Sequence, residues 1–291
     1  MAQSLDCMLC ILRQSLDAAR FATPDVDLQK EILEQTMRVT LESGLDSDPP
    51  TLGTIIHRIV REVADDPDPY YKEKRRFNQL ALGQLEKVRR WIEESDDKFE
   101  TTVRLAIAGN SIDFALGSID EKMISDAIHK AIDQTLVGSM DELREAIDEA
   151  QTIFYITDNA GEIVYDRLLI EMLISPEFNK DVTVAVRGEP ILNDALLEDA
   201  EEAGITDLVP VIGNGGDGLG VLFNLTSPEF NEKFANADLV IAKGLANYET
   251  LGFGPTEITP KKIVFLFKAK CDFIAQSSGA KLGDLVVRIP S

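Results

Sequence analysis

The stretch Ile153-Phe154-Tyr155-Ile156-Thr157-Asp158-Asn159-Ala160-Gly161-Glu162-Ile163-Val164 decides the fold, because an apolar run passes almost directly into an Asp-Asn pair and a glycine turn. Short runs rich in Ile, Val and aromatic residues are read as strands, and the helical pattern from Gly161 to Leu173 supplies the other half of a βαβ unit. Ligands of open α/β sheets bind in the crevice beyond the carboxyl ends of the strands. Asp158 therefore stands where a metal or a substrate would be held.

Working outward, the same grammar recurs after Gln151. Apolar runs at Thr152–Thr157, Val182–Arg187, Asp207–Ile212, Leu239–Lys243, Ile263–Phe267 and Leu285–Ile289 alternate with helical stretches such as Gly161–Leu173 and Asp194–Ala203. This pattern predicts an α/β fold with a largely parallel, buried sheet. Glycine or asparagine follows several runs, as at Gly188, Gly213-Asn214 and Gly244, which leaves room for a ligand to approach the backbone. Toward the N-terminus the pattern is helical instead: Leu28–Thr40, Leu52–Val63, Tyr71–Glu94 and Met123–Val137, broken by Pro24, Pro49-Pro50 and the Asp65–Pro69 cluster. The expected organisation is a helical region over residues 1–100 followed by an α/β domain over 101–291 that stays helical to about 150. Thr101–Asp113 reads as helix or strand by periodicity, and its polar end suits an active-site edge.

Composition narrows the function. A chain of 291 residues can bury a substantial core, and 44% hydrophobic residues mark an ordinary globular protein. The formal charge of −22 opposes nucleic-acid binding, which needs a basic footprint to neutralise phosphates. It reads as a solvated acidic surface whose local basic groups can still bind one small phosphate. No apolar run approaches the roughly 20 residues of a spanning helix. Met1–Asp6 lacks the pattern of a signal peptide, and three cysteines argue against a disulfide scaffold. A cytoplasmic location without membrane contact is expected.

Asp158 and Asn159 offer oxygen donors, and Asp194 closes a second polar segment, Gly188–Asp194, after the next strand. Hard divalent cations prefer such ligands, and Mg²⁺ is usually held by one or two carboxylates with water or phosphate oxygens. Asp and Asn after a strand are equally familiar as turn and capping residues. Lys243, Lys268 and Lys270 follow later strands, where a lysine serves either as a point charge for phosphate or as a solvated surface group. Cys7 and Cys10 share a face if their segment is helical. With only Cys271, His57 and His129 to add, a four-ligand zinc site is poorly supported, which leaves buried-thiol, redox and metal roles open. Both histidines lie in helical runs, so a Ser-His-Asp or Cys-His hydrolase has little to work with. The glycine run Gly213–Gly220 follows a third strand-like run rather than the first, unlike a dinucleotide fingerprint, and reads as a flexible substrate-side loop.

Taken together, Gly109-Asn110-Ser111-Ile112-Asp113, Asp158-Asn159-Ala160-Gly161-Glu162, Pro190–Asp194, Lys243–Glu249 and Lys270-Cys271 resemble, in order and spacing over nearly the whole chain, the metal-dependent damage-control phosphatases, domain-of-unknown-function family 89. Cys7-Met8-Leu9-Cys10 adds the Cys-x-x-Cys element of that family's largely prokaryotic branch. The resemblance implies a helical N-terminal region packed on a Rossmann-like, three-layer α/β/α core with one divalent cation (Mg, Mn, Co or Ni) and no organic cofactor. It assigns the metal to Asp158, Asn159 and Asp194, catalytic roles to Asp158 and Lys270, and the substrate side to Asn110, Asp113, Lys243, Asn247 and Lys270. It also implies that Cys271 approaches Cys7 and Cys10 as a thiol cluster. The implied activity is hydrolysis of small phosphorylated metabolites: sugar phosphates, nucleotides or phosphopantetheine-like compounds. Phe267-Lys268-Ala269-Lys270 departs from the Arg-Thr-x-Lys motif of the sugar-phosphate branch, so that branch's preference does not carry over. Two alternatives are a carboxyl methyltransferase using S-adenosylmethionine, which glycine loops would also suit, and a non-catalytic, thiol-regulated metabolite-binding protein.

Overall fold

Alternation of side chains builds the sheet. The computed structural model describes residues 5–44, 48–109, 126, 129–130, 132–253 and 258–290. Its seven strands are β1 (Leu136–Val137), β2 (Thr152–Ile156), β3 (Asp181–Val186), β4 (Val211–Gly213), β5 (Leu239–Lys243), β6 (Ile263–Lys268) and β7 (Leu285–Arg288), in the order β1-β7-β6-β5-β2-β3-β4. Successive strand residues face opposite sides. Tyr155, Val184, Ile241 and Leu266 join one core, whereas Phe154, Ala185, Val240 and Phe265 join another. A sheet apolar on both faces must be covered on both, which explains the unbroken hydrophobic runs in the sequence.

The chain supplies that cover in three groups of helices. Helices α1 (Leu5–Ala22), α2 (Val26–Ser43) and α3 (Pro49–Ala64) build a separate core from Ile11, Ile32, Leu52, Ile56, Val60 and Tyr70. Helices α4 (Tyr71–Glu94), α5 (Lys98–Ala108), α6 (Met140–Glu149), α7 (Glu162–Ile174) and α8 (Leu197–Glu202) lie on the first sheet face. Helices α9 (Pro228–Asn236), α10 (Gly244–Phe253) and α11 (Asp272–Ser278) cover the second through Phe230, Phe234, Tyr248 and Ile274. The result is the three-layer α/β/α arrangement expected, with a helical cap. The boundary between the two cores falls near Tyr70 rather than residue 100, because Phe77, Ala81, Leu85 and Val88 of α4 pack into the sheet core. Among the described residues, no helix is long and apolar enough to cross a membrane.

The proline and aspartate breaks act as helix caps. Asp25 accepts from the Asp27 and Leu28 amides, and Asp48 accepts from Thr51 with Pro49 and Pro50 in the first turn of α3. Three segments differ from the sequence reading. Asp207–Pro210 is turn, so β4 is only its continuation. The helical run expected to reach Val137 ends before the short strand β1. Strand β7 runs antiparallel to β6, while β1 follows β7 in parallel; the five strands β6, β5, β2, β3 and β4 are all parallel to one another.

Sheet order fixes where a ligand can enter. From β2 the chain moves outward through β3 and β4, then returns to place β5 on the other side of β2. Such a reversal opens a crevice between the carboxyl ends of the two diverging strands. Here those ends carry Asp158 and Gly244.

Candidate active site

Gly244 opens α10 immediately after β5, with a positive φ of 79°. A Cβ there would lie 1.9 Å from Asp158 Oδ2 and 2.2 Å from its Cγ, so only glycine admits the carboxylate to this position. The space that the sequence seemed to leave for a ligand is filled by Asp158 itself. Asn159 donates from its side-chain nitrogen to Asp158 Oδ2 at 2.8 Å and to Glu162 Oε2 at 3.2 Å. Backbone pairing brings in the third residue: Asn159 and Asp194 form an antiparallel bridge, Ala160 N–H donates to Asn193 O (2.9 Å), and Ala195 N–H donates to Asp158 O (2.8 Å). Asp158, Asn159 and Asp194 are thus stitched together although 35 residues separate the last two. Helices α7 and α10 both begin here, adding the positive ends of two helix dipoles.

Charge is crowded beneath this cluster. Asp194 is buried and accepts from Arg187 Nε at 2.6 Å. Burial pushes its carboxyl up to about 7 against the pull of Arg187, and repulsion from Asp158 adds to the rise. Glu162 rises to about 8 through burial, opposed by Lys243 and reinforced by Asp158 and Asp166. Lys243 is fully buried; its Nζ donates to Glu162 Oε1 (2.6 Å), Asp166 Oδ1 (2.5 Å) and Ala106 O (2.8 Å). Burial alone would lower this amine, but Asp166 and Glu162 outweigh it and hold the ammonium above its ordinary value. Tyr155 completes the floor by donating to Asp166 Oδ1 at 2.8 Å.

The other expected site residues fall in different places. Lys243, expected at the cleft mouth with a phosphate, is enclosed under the cleft as counter-ion to two carboxylates. Asn247, expected on the substrate side, is also fully buried: it donates to Lys243 O (2.6 Å) and Thr157 O (3.1 Å) and accepts from Arg187 (3.3 Å), tying strand ends together. Lys270 is exposed just beyond β6. Asn110 and Asp113 lie outside the described residues. Cys7 is half-buried and Cys10 and Cys271 are exposed, all as free thiols. Partial burial raises the Cys10 thiol, with smaller contributions from Cys271, Cys7 and Glu249, and it raises the Cys271 thiol, with smaller contributions from Glu249 and Cys7. His57 is buried beside Tyr70 and held down at about 4 by burial and Arg61, which makes it a neutral packing group.

Two residues of α4 escaped the sequence reading. Asn78 accepts from the Gly161 amide at 2.6 Å and donates to Asp199 (2.7 Å) and Glu202 (3.0 Å), fixing the turn that carries Asp158 and Asn159. Lys74, fully buried, pairs with Asp68 at 2.7 Å and acts electrostatically on Asp194. The signal was available: Lys74 and Asn78 are polar residues one turn apart on the same buried stripe as Phe77 and Ala81. The glycine run at 213–220 is not the flexible loop expected. Its glycines permit close backbone contact, since a Cβ on Gly215 would lie 2.6 Å from Ser227 N and one on Gly216 2.5 Å from Leu225 O. Asp217 is clamped by Arg58 and Arg61, and Leu219 N–H donates to Thr54 at 3.0 Å.

Among the described residues, no group of three or more His, Cys, Asp and Glu side chains is arranged to hold a metal. The set suited to a cation is two carboxylates, Asp158 and Asp194, with the Asn159 amide. These are hard oxygen donors, and the mutual repulsion of Asp158, Glu162 and Asp194 is charge that a divalent cation would offset.

Fold and site together define a class: a capped three-layer α/β/α protein with an acidic, oxygen-rich cleft at the switch point of a mainly parallel sheet. The sequence profile described as the Damage-control phosphatase ARMT1-like domain matches residues 4–286. The chain belongs to this family. It is 38% identical to an uncharacterized protein of Methanocaldococcus jannaschii, over 97% of this chain and 93% of that one. It is 33% identical to a damage-control phosphatase of Pyrococcus horikoshii, over 97% and 96% of the two chains, and 32% identical to one of Archaeoglobus fulgidus, over 97% of each. The crystal structure of a family-89 protein from Pyrococcus horikoshii superposes with a TM-score of 0.89 over the whole of both chains at 32% identity.

Proposed function

We propose that this chain is a cytoplasmic, divalent-metal-dependent phosphatase that hydrolyses phosphomonoesters of small metabolites in damage control. The observation that carries the reading is the backbone bridge between Asn159 and Asp194, which gathers Asp158, Asn159 and Asp194 at the sheet's switch point. Relatives named damage-control phosphatases support it, and those names do not favour the methyltransferase alternative.

Asp158, Asn159 and Asp194 would hold one Mg²⁺, Mn²⁺, Co²⁺ or Ni²⁺, which when bound supplies Lewis-acid polarisation of a phosphoryl oxygen. Arg187 aims Asp194 through its Nε contact, and Asn159 aims Asp158 through its amide. Two carboxylates neutralise a divalent charge, so a dianionic phosphate needs further cations. Lys270, exposed beyond β6, supplies one as a compact point charge, and the first amides of α7 and α10 supply donors. Asp158 orients the attacking water: the water oxygen bonds to phosphorus as the bond to the ester oxygen breaks, and the proton lost by the water ends on that leaving oxygen. Lys243, Glu162, Asp166 and Tyr155 keep the floor rigid and dry.

Phosphate release from sugar phosphates, nucleotides and phosphopantetheine by chelator-stripped protein, with each metal added singly, tests the reading. Metal-restored turnover that Asp158→Ala abolishes is expected. Absence of turnover with every metal, or full turnover in Asp158→Ala, overturns it.

A further inference from the structure

Asp194 closes a tight turn, Ile191–Asp194, in which Asp194 N–H donates to Ile191 O at 3.1 Å. Leu192 occupies the first central position with a φ of 46°, while Asn193 is not among the positive-φ residues. A positive φ at that position alone is the pattern of a type II′ turn, where glycine is the usual occupant. A γ-branched apolar residue held there is strained, and such strain persists only where the surroundings over-determine it. The surroundings are the helical cap. Leu192 packs against the core of α1–α3, not against the sheet cores on either side of it.

A second contact joins the same turn to the same cap. Arg61 on α3 donates from Nη1 to Pro190 O, two residues before Leu192, and pairs through Nη2 with Asp217 Oδ2 at 2.5 Å. One planar guanidinium thus spans the loop bearing Asp194 and the glycine loop beside it, a task suited to its rigid fork. The cavity left between Pro190, Leu192, His57, Arg61 and Asp68 is ≈ 10 Å³, room for about one water.

We infer that Leu192 and Arg61 are positioning residues through which the helical cap sets the place of Asp194, Leu192 as an apolar anchor and Arg61 as a clamp across two cleft loops. The cap is then part of the site. The inference rests on Asp194 being a metal ligand, as proposed above, but its structural half can be read without metal. Anchoring the turn holds Asn193 and Asp194 against β2, so the amides that depend on it are those of Ala160, bonded to Asn193 O, and Ala195, bonded to Asp158 O.

Leu192→Gly separates anchoring from strain, because glycine relaxes the turn while deleting the anchor. Full-length Leu192→Gly, Leu192→Met and Arg61→Gln would be compared with the parent protein by Mn²⁺ calorimetry, site-resolved amide exchange without metal, and thermal midpoint. The expected result is Mn²⁺ binding at least tenfold weaker in Leu192→Gly, with faster exchange at Ala160 and Ala195, unchanged exchange at Val184 in the sheet and a midpoint near the parent's. Leu192→Met, which restores an apolar anchor, should restore both, and Arg61→Gln should lie between. Parent-like exchange and Mn²⁺ affinity in Leu192→Gly and Arg61→Gln overturn the inference, as does loss spread equally to Val184. A parent protein that binds no Mn²⁺ refutes the metal reading, and the exchange arm then decides the anchoring by itself.

Discussion

Replacing Gly244 by alanine drives a Cβ into the carboxylate of Asp158. The added Cβ would stand 1.9 Å from Asp158 Oδ2, and real Cβ contacts do not fall below 3.0 Å, so the carboxylate must retreat by about 1.1 Å or the start of α10 must shift. The positive φ of 79° adds a backbone cost of about 1–2 kcal/mol for a residue with a Cβ. That cost is small beside a typical folding stability of about 5–15 kcal/mol, so the variant should fold. Displacement of a reacting group by about 1 Å can lower turnover by about 10²-fold. Phosphate release at saturating metal should therefore fall by about 10²-fold, while Mn²⁺ titration shows a weakened half-saturation and circular dichroism an intact fold. A folded Gly244→Ala protein with parental turnover and metal half-saturation would refute the placement of Asp158 at the reacting centre.

Lys243→Met should destabilise the protein by about 3–5 kcal/mol in denaturant titration, since it leaves Glu162 and Asp166 buried without their cation; a loss below about 1 kcal/mol would show that the pair is not charged in the fold. Asn78→Ala should lower stability by about 1–3 kcal/mol by orphaning the Gly161 amide and two carboxylates, and calorimetry should show weaker Mn²⁺ binding as the Asp158 turn loosens. The metal-free protein should lose stability as pH rises from about 4.5 to about 7. Asp194 (about 7) and Glu249 (about 7, raised by burial and then Asp48) keep protons in the folded state over a range where the unfolded chain has released them. Glu249→Gln should flatten part of that slope in thermal melts at pH 5 and pH 8, and an unchanged slope would count against a buried, protonated Glu249.

The sequence was most legible where one force dominates. Strand β5 and helix α4 lie where periodicity put them, because burial on both faces or on one stripe leaves a clear apolar pattern. Strand direction was not legible, since an apolar run of four residues reads the same either way; the antiparallel β7 and the two-residue β1 had to be seen. At the site, Asp158, Asn159 and Asp194 were readable as oxygen donors after strands. The role of Lys243 was not, because its position at a strand end suited a cleft lysine equally well. Glu162 and Asp166, four apart on the buried face of α7, were the clue, as two acids on an apolar stripe call for a buried cation. The glycine run misled for a related reason: glycine permits both mobility and close backbone contact, and only the neighbours, Ser227, Leu225 and Gly188, decide which.

Sheets fray from their rims inward, and this one has rims of two and three residues in β1 and β4. Strands β5 and β2 sit fourth and fifth of seven, flanked on both sides by longer neighbours. Partial opening at the β1 rim therefore leaves the cleft intact, and the strand ends that carry Asp158 and Gly244 separate only when the centre of the sheet melts. Metal binding and global unfolding should share one midpoint along a denaturant series, so the capacity to hold a metal would report how much of the population is folded.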